Sequence, residues 1–388
     1  MLKADNRTDN FIAFMLAALV YVPATSTGNL IRLGVVFVAF VMKHINEPPE
    51  QGMKKIAICM VMSPIVSVFF VFVIEGFGLN CAVVMHEIQR MVFCALLLMT
   101  VVKMQISFRV VYFITVIVLI PNFVIQLLQQ AQVESVFTFI RNNYESGTSA
   151  EEWTHLDLAR EEGSGFRAGS IFINPNVFMA IPLMSLVVFL HQDRKKSSIW
   201  NYGLLGCAVY SCFLTGSRTA TIVMAIIIIW YIVKYAKPLS RVLLIIAVII
   251  VAYSFGTYLF SSRAVQIFDT ASFETKINAY KWYLSSTTSV PIYWISGSLG
   301  SRIANPGMDG EIGDIYAWFG VFGWYWYFQY YKFAFKKSQI LFYSKPLTAV
   351  HIFVAFTASI LLCMPIYSFA AVIFFSNIND YDEVMTGD

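Results

Sequence analysis

The sequence predicts an all-α polytopic membrane protein of about twelve transmembrane helices, and three observations predict it. The 388-residue chain is 58% hydrophobic and only 13% charged, more apolar surface than a soluble core would hide. Its uncharged stretches run near or above the roughly 20 residues a spanning helix needs. Its cations are distributed unevenly between alternate connections, as membrane insertion demands.

Taken in order, uncharged stretches cover Asn10 to Ile31, Ile56 to Ile74, Val110 to Val133, Ala168 to Gln192, Ser197 to Ser217, Val242 to Ser262 and Pro346 to Asn379. Shorter runs bounded by charge, Leu33 to Met42, Met91 to Val102, Thr219 to Val233 and Ile315 to Tyr331, complete further spans. Splitting the last long stretch at Pro365 gives about twelve spans; leaving it whole, as one tilted helix with a polar tail, gives eleven. With the N-terminus on the cytoplasmic side, 17 of the 27 Lys and Arg residues fall on that side, among them Lys3, Arg7, Lys54, Lys55, Arg194, Lys332 and Lys336. The small positive net charge then reflects topology rather than nucleic-acid binding. The first apolar run has no small-residue cleavage pattern, so no cleavable signal peptide is expected. Most of the six cysteines fall inside spans, which argues against a disulfide framework.

No soluble domain and no internal repeat interrupts this pattern, so residues 1–388 read as one integral membrane domain. Two connections on the outer side are long, residues 129–167 and 261–313, and long connections tend to carry function. The first is acidic, and its Val133 to Tyr144 portion and the stretch around Trp153 to Leu158 have the spacing of short amphipathic helices. The second mixes aromatics with Lys276, Lys281 and Arg302 and then turns glycine-rich, GSLGSRIANPGMDGEIGD. Such density makes tight turns or brings backbone close to a neighbour.

Arg218 sits in TGSRTA, at the end of one apolar run and the start of the next. It reads either as an interfacial arginine snorkelling to water or as part of an anion site at a helix start, beside exposed N–H groups. FRAGSIFINPNVFMA, from Phe166, repeats the pattern: Arg167 precedes small residues, and Asn174-Pro175 is suited to cap and open a helix. In MHEIQRM, Glu87 and Arg90 stand three apart on one helix face, the spacing of a mutual ion pair. Asp380-Tyr381-Asp382 resembles the acidic signature of sugar-nucleotide transferases only in letters, and as a short terminal acidic tail it reads as solvated. No Walker loop is present.

Arg167 to Ala180 followed by Leu214 to Ala220, then FETKINAYKWYL and GDIYAWFGVFGW, resembles the bacterial O-antigen polymerase and ligase superfamily over about Arg167 to Trp324. The resemblance implies a multi-span glycosyltransferase of the GT-C kind in the bacterial inner membrane, working at the periplasmic face without cofactor or metal. Its substrates would be undecaprenyl-diphosphate-linked oligosaccharides, and a chain-length regulator would be a partner beside membrane lipid. Arg218 matches the family's arginine, and Lys276 stands where the family has an arginine opening its loop helix. Lysine loses the bidentate fork, so Arg263 or Arg302 is expected to supply it; Arg167 and Arg90 complete the diphosphate set.

The ligases of the superfamily use a histidine in the second large loop. The five histidines here are His44, His86, His155, His191 and His351, none in that loop, so a polymerase is expected, with ligase or flippase as alternatives. A flippase would carry ionisable residues deep in several spans and show related halves. A sugar hydroxyl must lose its proton as it attacks, and a carboxylate is the expected base: Asp314 first, then Asp309 and Glu311. Asp314 is alternatively placed to cap its helix. Trp282, Tyr283, Trp294 and Tyr316 are the expected platforms for sugar faces.

Overall fold

A computed structural model describes residues 5–23, 25–45, 48–144, 168–172, 175–195, 198–235, 271–303, 310–340, 344–355 and 360–379. In chain order the helices are α1 Asp5–Ala18, α2 Ser26–His44, α3 Gln51–Glu75, α4 Cys81–Lys103, α5 Phe108–Gln130, α6 Glu134–Tyr144, α7 Pro175–Phe178, α8 Ala180–Lys195, α9 Ile199–Leu214 and α10 Arg218–Tyr235. After these come α11 Ala271–Thr287, α12 Ile292–Ser296, α13 Glu311–Ile340, α14 Ser344–Ala355 and α15 Met364–Phe375. Among the described residues five helical stretches are long and apolar enough to cross a membrane: Ser26–His44, Gln51–Gly78, Cys81–Lys103, Phe108–Gln130 and Pro175–Asp193. The last long apolar stretch is two helices, α14 and α15, with Pro365 in the first turn of α15, where its missing N–H costs nothing. The Val242 to Ser262 run and the segment around Trp153 lie outside the described residues.

The chain forms two compact units. Unit 1 comprises Met1–Ile114, Glu274–Thr348 and Ala355–Asp388; unit 2 comprises Thr115–Phe273 and Ala349–Val354.

In unit 1, α4 packs against α2, α3 and α15, and α13 packs against α3. The first apolar stretch does not form one span ending at Arg32. It breaks after Tyr21, and Thr25 accepts a hydrogen bond from the Gly28 amide to start α2. Arg32 therefore lies inside α2, fully buried. Its guanidinium donates to the Asn29 side chain at 2.8 Å and to the carbonyls of Leu19 and Val22. Backbone carbonyls at the break thus accept from a buried cation that would otherwise cost several kcal/mol.

Hydropathy gave no sign of the two short strands at the other end of the unit. β1 (Gln105–Ser107) and β2 (Asn377–Asn379) pair in parallel, with Ile106 opposite Ile378. Asp9, buried, accepts from the β1 Gln105 amide and pairs with Lys43 at 2.9 Å.

In unit 2, α8 packs against α9 and α10, which also contact each other. α6 forms as the Val133 to Tyr144 spacing predicts, burying Phe137 and Ile140.

Candidate functional site

In unit 2 the two arginine-bearing stretches meet. α9 ends at Leu214, Gly216 takes a left-handed φ of 57°, and α10 opens at Arg218. A side-chain relay stitches this break. Thr215 donates to the Cys212 carbonyl at 2.7 Å and accepts from the Ser217 amide at 3.2 Å, while the Ser217 hydroxyl accepts from the Ala220 amide at 3.4 Å. The small polar residues of TGSRTA thus support the break by replacing lost helical bonds.

Against this break lies the start of the other stretch: the Ala168 amide donates to the Leu214 carbonyl at 2.9 Å. The backbone beside Arg167 is therefore joined to the turn that leads into Arg218. The side chain of Arg218 and the whole of Arg167 lie outside the described residues, as does Asn174. Pro175 opens α7, the helical start expected of it.

Three buried amides of α5, Asn122, Gln126 and Gln129, hold this junction. The spacing of four and then three places them on one face. Gln129 closes a two-bond ring with the Ser170 backbone at 2.9 Å each way, and Ser170 donates to Asn122 at 2.6 Å. Gln126 donates to the carbonyls of Ala168 and Ser211. Ser170 has a φ of 59°, unfavourable for a non-glycine residue, so this ladder holds a turn the backbone alone disfavours. Sequence reasoning missed all three, and their i, i+4, i+7 spacing inside an uncharged run was the available signal.

In unit 1 a second polar group gathers around α4. Glu87 and Arg90 pair at 3.0 Å, as their spacing predicts, and the Arg90 guanidinium also meets the His86 ring nitrogen at 2.8 Å. Arg90 lies 5.6 Å from the ring centroid of Trp318, a cation–π distance, which brings it to the GDIYAWFGVFGW segment. Glu87 is 3% exposed, and its Oε2 and the Arg90 Nε have no hydrogen-bond partner among the described residues. Such unmet polar capacity in a buried pair suits a polar ligand.

Of the three carboxylates expected to act as base, Asp309 lies outside the described residues. Glu311 is fully buried, accepting from the Tyr327 hydroxyl at 2.8 Å and the Leu361 amide at 2.6 Å. With both oxygens engaged it is a latch rather than a free base. Asp314 is half-buried in the first turn of α13, its amide bonded to the Gly310 carbonyl at 3.0 Å. That helix already starts at Glu311, so Asp314 follows the cap position instead of occupying it.

The end of the second long connection is pinned to α3 by Glu75. Its Oε1 accepts from the hydroxyls of Tyr293 at 2.6 Å and Ser301 at 2.5 Å, and its Oε2 from the Arg302 amide at 2.9 Å. Burial, with Glu75 adding to it, pushes the Tyr293 phenol up from its ordinary value, so Tyr293 remains the donor. Arg302 itself is exposed. Arg263 lies outside the described residues, and of Lys276 only the helical backbone is described.

Trp282 and Trp294 are exposed and Tyr316 is half-buried, packed 4.5 Å from Trp324. Tyr283 departs from expectation. It is fully enclosed, with Val71, Tyr293 and Ala317 in one core cluster, and donates to the Ala317 carbonyl at 3.3 Å. It packs edge-on against Tyr316 and offers no free face to a sugar.

No family model, no curated protein and no solved structure matches the chain.

Proposed function

We propose that the protein is a membrane glycosyltransferase that polymerises polyprenyl-diphosphate-linked oligosaccharide repeat units, passing the growing chain to an incoming unit. The observation that carries this reading is the hydrogen bond from Ala168 to Leu214. It joins, at one backbone junction, the stretch that follows Arg167 in the sequence and the turn from which Arg218 opens α10. A diphosphate leaving group needs its charge neutralised, and guanidinium groups and helix N-termini do that.

In the reaction a hydroxyl of the acceptor's terminal sugar attacks the anomeric carbon of the donor's first sugar. The new C–O bond forms as the bond to the diphosphate breaks, the diphosphate leaves with the bonding electrons, and the hydroxyl proton passes to a carboxylate. Asp314 is assigned that role: it is the surface-accessible described acid at the head of α13. Arg90, with Glu87 and Trp318, is assigned to the carbohydrate–phosphate end of a substrate. The side facing the periplasm, the inner-membrane location and a chain-length regulator as partner belong to the same proposal.

Purified protein given lipid-linked repeat units, with chelator present, should build long glycan. Arg218→Ala and Asp314→Asn should each lower the rate by about 10²-fold or more with unchanged protein level. Long glycan from Arg218→Ala at the normal rate would remove the central premise. Loss of single-unit glycan from the cell surface as well would favour transport.

A further inference from the structure

At the end of unit 1 away from Glu75, α3 and α13 enclose a groove of about 290 Å³ whose lining includes Lys55, Lys332, Lys336 and Gln329 above Ile56 and Phe333. The register follows from one bond. Trp326 donates its indole N–H to the Ser63 hydroxyl at 3.1 Å, and the groove brings the start of α3 to the later part of α13, so the two helices run antiparallel. From that level Lys55 lies eight residues, about 12 Å, toward the start of α3. Lys332 and Lys336 lie six and ten residues, about 9 and 15 Å, toward the end of α13. Lys55 therefore falls at a level between Lys332 and Lys336, which stand about one α-helical turn apart on α13, and all three line the same groove.

None of the three pairs with a carboxylate among the described residues. Like charges facing one another across a groove repel, so the arrangement is completed by an anion. Two further features say which anion. α3 is a membrane-length apolar helix and Lys55 stands in its first turns, so the groove mouth lies where headgroups begin. Besides this groove, α3 exposes Ile58, Met62 and Ile65 and α13 exposes Phe328 and Phe335, apolar surface that a free ion does not use and an acyl chain does.

We propose that this groove binds the phosphate of an anionic membrane phospholipid, its headgroup held by Lys55, Lys332 and Lys336 and its chain laid along α3 and α13. It lies at the end of the bundle that the charge asymmetry assigns to the cytoplasmic leaflet, and it is independent of the proposed reaction.

Native mass spectrometry of the detergent-purified full chain, titrated with phosphatidylglycerol or phosphatidylcholine, tests it. The wild type should hold phosphatidylglycerol at least about tenfold more tightly than phosphatidylcholine. Combined Lys55→Gln, Lys332→Gln and Lys336→Gln should abolish that preference. The Lys→Arg version of the same three should keep it, and so should Lys54→Gln with Lys345→Gln, both exposed and outside the groove. If the triple Gln variant is not monodisperse, each single variant should weaken the preference about fivefold. An unchanged preference in the folded variants overturns the proposal. Displacement of phosphatidylglycerol by millimolar inorganic phosphate also overturns it, in favour of a free-anion site.

Discussion

Glu75 is one carboxylate accepting three hydrogen bonds, two from hydroxyls and one from a backbone amide. Charge-assisted bonds of this kind contribute about 1.5–3 kcal/mol each. Glu75→Gln keeps the shape but removes the charge and turns one acceptor into a donor facing donors. The expected cost is about 2–4 kcal/mol, seen as a lower melting temperature in detergent and faster amide exchange over 299–303 than in wild type. A normal exchange pattern there would show that the loop is held by other contacts. Tyr283 sets a pH limit on the same region. Burial pushes its phenol up to about 12, whereas tyrosine in an unfolded chain ionises at about 10. The stability it contributes is therefore complete below pH about 10 and is lost as pH rises toward about 12. Melting temperature should fall over that window, and less steeply in Tyr283→Phe.

Among the elements, α12 and α13 meet so closely that only backbone fits between them. A Cβ on Gly297 would come within 2.1 Å of the Trp318 carbonyl oxygen, and one on Gly320 within 2.3 Å of that of Ile295. Both glycines have left-handed φ, 78° and 59°, and Gly320 divides α13 into two helical segments. Gly320→Ala should destabilise by more than about 2 kcal/mol, detected as loss of monodisperse protein on mild heating; a wild-type melting curve would contradict this contact. The glycine-rich GSLGSRIANPGMDGEIGD marked the Gly297 side of this contact as a place of tight turns or close backbone approach, whereas Gly320 was not singled out. The Gly216 break was legible for a similar reason, small polar residues between two apolar runs. The Asn122, Gln126 and Gln129 ladder and the buried Arg32 were not, because hydropathy reads uncharged amides as neutral and treats any arginine as a boundary. Which carbonyls a polar side chain reaches is a property of packing, and a single sequence does not encode it locally. Tyr283 and Glu311 illustrate the same limit: residue type suggested an exposed role, and the neighbouring helices enclosed both.

For the molecule as a membrane protein, the sharpest test is sidedness. Glu75 and Lys55 lie twenty residues apart on α3, about 30 Å along the helix, one bilayer core. With native cysteines replaced, Arg302→Cys and Lys336→Cys should react with an impermeant maleimide from opposite sides of a sealed vesicle. Labelling from one side would refute a membrane-spanning α3 and with it the span expected over Ile315 to Tyr331. The far end of unit 1 has its own anchor in Asp9, buried against Lys43 and the β1 backbone. Breaking such a pair on one side costs about 3–5 kcal/mol, so Asp9→Asn should lower the melting temperature while Asp9→Glu retains part of the contact.

Unit 1 is also drawn from both ends of the chain. Cys94 bonds to the carbonyl of Leu361, 267 residues later. At translation rates of about 5–20 residues per second, α4 waits on the order of 10–60 s in the bilayer before α15 is made. In the part of that interval before α13 is made, Glu87 and Arg90 lack the Trp318 ring that packs over Arg90. That face is therefore expected to need temporary shelter, and ribosome stalling before Glu311 should leave it crosslinkable to whatever insertion factor provides it.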